Sequence, residues 1–286
     1  MLFSSIDIGS NAVRLFFANV FEVKGKSVLE KASLIRIPLR LGEDVFRTGS
    51  ISETRIENLL KTMHAFKLLI DVYKPLDYVA CATSAMREAL NNKEIIKRIY
   101  SETGINVKII DGEEEAQIVC AVDKIYTSKK YNITMYIDVG GGSTEMSVVR
   151  NHKLIDSKSF NIGTLRTLSE ANINEWDKMN DWLRIFKNEF GKIYIVGSGG
   201  NINKLSKMYS TQTGNCMSYP NLKQGYKHLL GFTLQQRIEQ LGLRPDRADV
   251  IIPAAEIFLN IMKITQSELI FVPRIGLSDG LIYTVY

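Results

Sequence analysis

Cysteine and histidine are scarce, and no stretch is apolar for long enough to span a bilayer as a helix. The three cysteines (Cys81, Cys120 and Cys216) are odd in number and lack metal-ligand spacing. That excludes a disulfide framework and a zinc ribbon, and reads as buried thiols in a reducing cytosol. The three histidines (His64, His152 and His228) are scattered, and none pairs with a Ser or Cys at a spacing that suggests a triad. Met1-Leu2-Phe3 opens an apolar stretch, but Asp7 interrupts it and no basic segment precedes it, so no signal peptide is expected. There is no dense Lys/Arg tract of the kind that grips nucleic acid. What remains is an ordinary globular composition, 45% hydrophobic and 23% charged over 286 residues. A chain of that length suits two domains and can bury roughly three-quarters of its unfolded surface. The net charge of +5 favours an anionic partner without naming it.

One phrase occurs twice. Ile6-Asp7-Ile8-Gly9-Ser10-Asn11 returns as Ile137-Asp138-Val139-Gly140-Gly141-Gly142. Each copy ends an apolar strand and leads into a second one. A strand ending in Asp, a glycine turn and a returning strand expose backbone N–H groups in a concave row that suits an anion. The aspartate beside that row would repel phosphate unless a divalent cation sat between them. Two such turns imply duplicated halves around a cleft.

Periodicity gives the path. Strands are expected at Leu2–Ile8, Val13–Val20 and Ser27–Ile37, a helix from about Ser52 to Tyr73, and a strand at Leu76–Ala82. Ser84–Glu102 reads as helical with a break at Asn91-Asn92; a strand at Asn106–Ile110 and a helix from Gly112 to Tyr126, capped by Asp111 with Glu114 at the capping-box position, complete the first half. The second half repeats the order: strands near Ile133–Ile137, Glu145–Arg150 and Lys153–Asn161, helix Glu175–Phe190, strand Lys192–Val196 and helix Asn201–Met208. An irregular insertion between Tyr209 and Arg247 precedes helix Ala248–Ile264, strand Glu268–Phe271 and a final helix from about Ser278. This order predicts an α/β protein of the duplicated actin-like or sugar-kinase-like (ribonuclease H-like) two-domain type with an interdomain cleft. The domains are placed at residues 1–126 and 127–274, with the last helix, about 275–286, packing back on the first. Ser128-Lys129-Lys130-Tyr131 is the expected hinge.

Four segments carry candidate chemistry. The triple glycine at Gly140, Gly141 and Gly142 is conformationally expensive, and close approach of backbone to ligand is the reason for it. Ser143 and Thr144 add hydroxyls, and Asp138 and Glu145 bracket the loop where a hard cation with oxygen ligands could sit. A third turn, Gly197-Ser198-Gly199-Gly200-Asn201, opens a helix whose N-terminus favours phosphate. The run Glu113-Glu114-Glu115 suits a helix start through the dipole alone, yet Glu115, one turn in, could take a proton from water. Arg87, after Thr83-Ser84-Ala85-Met86 at another strand end, could neutralise a phosphate oxygen.

Together these phrases resemble the exopolyphosphatase / guanosine pentaphosphate phosphohydrolase family. The match runs in order through Ile6–Leu15, Ala82–Ala89, Gly112–Ala116, Ile137–Glu145, Val196–Gly200, Arg247–Ile251 and Gly276–Gly280. The resemblance implies an actin-like hydrolase that removes terminal phosphate from inorganic polyphosphate or guanosine pentaphosphate. It implies Glu115 as general base, Arg87 as a phosphate contact, and Asp138 with Glu145 as ligands of Mg2+; the mechanism expected from these residues admits Mn2+ as well and has Asp7 assisting through water. Gly9, Ser10 and Asn11, with Gly140, Gly141, Gly142, Ser143 and Gly199, would bind phosphate. Ala12 stands where many relatives carry Ser or Thr, and Ser278 where an arginine is frequent. The chain ends at Tyr286, without the C-terminal helical domain of longer relatives, so processive action on long polymers is not expected. The expected setting is cytoplasmic, with no nucleic-acid or membrane partner, as monomer or homodimer. An ATP-dependent phosphotransferase and a non-catalytic polyphosphate or alarmone sensor are the rival classes.

Overall fold

The computed structural model describes residues 1–23, 25–121, 133–151, 153–169, 173–211 and 215–286, without the side chains of 26, 120, 121 and 169. The expected hinge at Ser128–Tyr131 and the last residues of the helix drawn to Tyr126 lie outside them. The chain divides into two compact units, residues 1–122 with 277–286, and residues 123–276.

The first unit is built on a five-stranded sheet. Its strands are β1 (Leu2–Ile8), β2 (Val13–Val23), β3 (Lys26–Ile37), β4 (Tyr78–Ala82) and β5 (Val107–Ile109), in the order β3-β2-β1-β4-β5. The three hairpin strands pair antiparallel, and β4 and β5 join them in parallel. Alternation sends Ile6, Ile8, Val13, Leu15 and Phe17 to one face, where α2 (Glu53–Tyr73) and α4 (Asn92–Thr103) cover them with Leu59, Met63, Phe66, Ile95 and Ile99. The opposite face carries Phe3, Phe16, Ala18 and Val20 against Ile282 of α13 (Leu277–Val285), and Cys81 against Ile118 of α5 (Gly112–Ala121) and Leu281. Gly280 lets α13 lie tight on α5, since a Cβ there would fall 2.3 Å from the Ile118 carbonyl oxygen.

One detail departs from the periodicity. A helix, α1 (Leu41–Thr48), occupies a stretch with no predicted element; it starts from Arg40 in the left-handed conformation (φ 53°) without a side-chain cap, so no start signal stands in the sequence. The break at Asn91-Asn92 is real: α3 (Ser84–Glu88) ends before it, and the Asn91 amide exchanges hydrogen bonds with the Ile51 backbone at 2.8 and 3.1 Å.

The second unit repeats the plan. Strands β6 (Ile133–Val139), β7 (Thr144–Arg150), β8 (Lys153–Phe160), β9 (Tyr194–Ser198), β10 (Cys216–Ser218) and β11 (Leu269–Phe271) run in the order β10-β11-β9-β6-β7-β8. Removing the short antiparallel β10 leaves the topology of the first sheet. Met135, Ile137, Met146 and Ile195 pack on Met179 and Leu183 of α7 (Ile173–Phe190), Leu205 of α8 (Gly200–Tyr209) and Phe258 of α12 (Ile251–Thr265). The helix expected over Ala248–Ile264 is divided, with a short turn at Pro245–Ala248 and α12 beginning at Ile251; Pro253 is accommodated in its first turn. The insertion folds as β10, a helix at Tyr219–Leu230 and another at Leu234–Glu239. Of the thiols expected to be buried, Cys81 is; Cys216 is only partly covered because β10 is a three-residue edge strand.

Candidate active site

The duplicated phrase folds into duplicated hairpins. In the first unit the Gly9 amide donates to the Ala12 carbonyl at 3.2 Å; in the second, Gly140 donates to Ser143 at 2.9 Å. A Cβ on either glycine would stand 3.1 Å from that carbonyl oxygen, tighter than side chains ordinarily pack. The flanking pairs match as well, Ile8 with Val13 and Val139 with Thr144. One step further the units part. Asp7 faces Arg14 and forms an ion pair with it. Asp138 faces Glu145. The same backbone therefore carries a neutralised pair in one unit and two carboxylates in the other, and like charges directly opposed on a sheet are destabilising.

Each loop is also held from behind. In the first unit the Gly42 amide donates to Ser10 at 2.9 Å and the Arg40 amide to Asn11 at 3.0 Å. In the second, Thr164 donates to Gly140 at 3.0 Å, and Leu165 and Arg166 to Gly141 at 2.8 and 3.2 Å. The Arg166 Nε then donates to the Gly142 carbonyl at 2.7 Å. Gly163 sits so close that a Cβ would fall 2.4 Å from the Gly142 carbonyl carbon. Both buttresses follow the third strand of their hairpin set and each carries a Leu-Arg pair, Leu39-Arg40 and Leu165-Arg166, so they are part of the duplication.

The acidic pair of the second unit lies in a row of four across four strands: Ser159, Glu145, Asp138 and Ser198. Glu145 is buried, and its Oε1 accepts from the Ser159 hydroxyl at 2.9 Å, which fixes the carboxylate plane. Gly199 has φ +100°, and a Cβ there would meet Asp138 Oδ1 at 2.8 Å. That glycine therefore makes room for the carboxylate at the start of α8. Two carboxylates and neighbouring hydroxyls form an oxygen-only donor set, which fits a hard cation such as Mg2+ that completes its shell with water and phosphate oxygens. Among the described residues no group of three or more His, Cys, Asp or Glu is arranged to hold a metal.

In the first unit β4 delivers Arg87 and β5 delivers Glu115 to the strand ends beside Asp7. The Ala85 amide donates to Ser10 Oγ at 3.2 Å, tying α3 to the first loop. Arg87 Nη1 donates to the Ile110 carbonyl at 2.8 Å and lies 3.7 Å from Glu115 Oε2. Asp111 caps α5, its Oδ1 accepting from the Glu114 amide at 2.8 Å. The Glu114 carboxylate pairs with Lys108, Glu113 is exposed, and Glu115 alone of the three is buried. Helix dipole arguments treat the three alike; burial beside an arginine separates one from the others.

The structure thus assembles Asp7, Gly9, Ser10, Asn11, Arg87 and Glu115 in the first unit, and Asp138, Gly140, Gly141, Gly142, Ser143, Glu145 and Gly199 in the second. Sequence reasoning missed Arg14, Ser159, Gly163 and Arg166. Arg14 was within reach, because it stands seven residues after Asp7 as Glu145 stands seven after Asp138. Arg247, in one of the quoted phrases, lies over the third turn, its Nη2 standing 3.0 Å from where a Gly200 Cβ would be.

The model of the Ppx/GppA phosphatase family matches residues 20–286. The chain belongs to the Ppx/GppA phosphatase family. A bifunctional 3-dehydroquinate synthase/phosphatase of Fusobacterium nucleatum is 27% identical over 94% of this chain, and the match spans 44% of that protein's length. Exopolyphosphatase 1 of Mycobacterium tuberculosis is 24% identical over 97% of this chain and 86% of its own. The crystal structure of an exopolyphosphatase from Cytophaga hutchinsonii superimposes with a TM-score of 0.86 at 23% identity, covering 100% of this chain and 97% of that one. The fold is the actin-like two-domain fold of Ppx/GppA structures. No helix among the described residues is long and apolar enough to cross a membrane.

Proposed function

We propose that this Ppx/GppA phosphatase is a phosphoanhydride hydrolase that releases the terminal phosphate of inorganic polyphosphate. The observation that carries the reading is Glu115, the one buried carboxylate of an acidic helix start, held beside Arg87 at 3.7 Å. A hydrolase needs a carboxylate to orient water and a fixed cation to meet charge developing on the transferred group. Glu115 takes the first role. A free glutamate with a pKa of about 4.3 is a weak base, so most of its contribution is orientation of the nucleophile. Arg87, anchored on the Ile110 carbonyl, takes the second.

The amides of Gly9–Asn11 and Gly140–Ser143 supply donors for phosphate oxygens, with those of Gly199 and the start of α8 beside them. Asp138 and Glu145 would hold Mg2+, or Mn2+. Bound there, the cation would screen the phosphate oxygens and lower the pKa of water. Arg14 already neutralises Asp7, so the first loop receives an anion without a metal of its own.

Phosphate release is measured with polyphosphates of several lengths, guanosine pentaphosphate and ATP, each with and without Mg2+. The reading expects release from polyphosphate that stops on chelation. Faster release from the pentaphosphate nucleotide moves the substrate within the family. Phosphate transfer from ATP to an acceptor, or tight polyphosphate binding without release, refutes hydrolysis of this polymer.

A further inference from the structure

We infer that Arg166 is a positioning residue that strengthens and aims the phosphate-binding amides of the triple-glycine loop, acting through the Gly142 carbonyl. The inference rests on the reading above that this loop binds phosphate.

A peptide unit is planar and trans, so its carbonyl and its N–H point in opposite directions. The carbonyls of Gly140, Gly141 and Gly142 are all held by the segment Thr164–Arg166. The N–H groups of Gly141, Gly142 and Ser143 belong to those same three peptide units and are turned to the other side. None of the three donates to a backbone carbonyl among the described residues. Three neighbouring amides turned outward form a nest for an oxyanion.

The holding groups are not equivalent. Gly140 and Gly141 are bonded by neutral backbone amides, whereas Gly142 is bonded by a guanidinium. In the first unit the equivalent carbonyl, Asn11, is bonded by the neutral amide of Arg40. The second unit therefore places a guanidinium on this carbonyl, behind the loop whose flank carries Asp138 opposite Glu145. A charged donor on a carbonyl polarises the whole peptide unit and strengthens its N–H, here that of Ser143. It also offsets the repulsion that the two carboxylates exert on an incoming phosphate. The loop has no freedom to adjust without its buttress, because Gly163 already touches the Gly141–Gly142 peptide.

The test is calorimetric titration of the full-length protein with inorganic phosphate, at two ionic strengths. Arg166→Gln keeps a hydrogen-bond donor and removes the charge; Arg166→Lys keeps the charge on a different donor. We expect Arg166→Gln to weaken phosphate binding about tenfold, the scale of one charge acting across a single peptide unit. Its melting temperature should match that of the wild type, its salt dependence should be shallower, and KM for polyphosphate should rise more than kcat falls. Arg166→Lys should retain most of the affinity. Wild-type affinity in Arg166→Gln, or parallel loss of affinity and melting temperature in both variants, overturns the inference. Wild-type protein that binds no phosphate overturns the underlying reading as well, which separates the two failures.

Discussion

Replacing Glu115 by glutamine tests the hydrolytic reading most sharply, because structure and chemistry predict opposite sizes of effect. The substitution preserves shape in a site that is only 7% exposed. It removes an attraction to Arg87 across 3.7 Å, about 4 kcal/mol gross at an effective dielectric of about 20. Most of that is not net stability: the burial penalty of the carboxylate disappears with its charge, and Arg87 keeps its bond to Ile110. A net loss of about 1 kcal/mol remains, or about 2–4 °C for units of this size. Turnover should fall by about 10²–10⁴, the range for a general base. Phosphate release from polyphosphate in Mg2+, read beside a melting curve and phosphate titration, measures all three quantities. Glu114→Gln, which loses only an exposed pair with Lys108, is the control and should keep activity within about twofold. Release by Glu115→Gln within a few-fold of wild type, with binding intact, would remove Glu115 from the reaction and refute the assignment.

Two further predictions address the cation and the frame. Mg2+ at about 100 times its dissociation constant should stabilise the wild type by about 2.7 kcal/mol, and Glu145→Gln should abolish that gain while raising the melting temperature in chelator; equal magnesium stabilisation in both would clear Glu145 of a ligand role. Asp44 ties α1 to α2: burial raises its pKa, but hydrogen bonds from the Ser52 hydroxyl and backbone and the Arg55 guanidinium outweigh it and hold the carboxyl below its usual value of 3.8. A depressed carboxyl contributes stability above its unfolded pKa and loses it as pH falls through the folded one. Asp44→Asn should therefore be less stable than wild type at neutral pH, with the difference shrinking below about pH 4; a pH-independent difference in melting temperature would contradict the linkage.

How much of this was legible in the chain depends on whether a feature is local or relational. Ile6–Asn11 and Ile137–Gly142 announce themselves because a strand, an Asp and a glycine turn are consecutive, and the hydrogen bonds that close both loops are local too. Burial of Glu115 but not Glu113 or Glu114 is helical geometry, readable only as an expectation until the opposing Arg87 arrives from a different strand. Gly163 and Arg166 could not be read at all. Their meaning lies in the carbonyls of residues more than twenty positions earlier, and a Gly-Thr-Leu-Arg stretch on its own is an unremarkable turn. Arg14 falls between these cases. Laying one repeat on the other puts it in the place of Glu145, and the change of sign sets the two hairpins apart: a basic residue faces Asp7 where an acidic one faces Asp138. Duplication fixes the scaffold, and the departures from duplication assign the chemistry: an arginine beside one aspartate, a glutamate beside the other, and a guanidinium behind the loop whose flank is acidic.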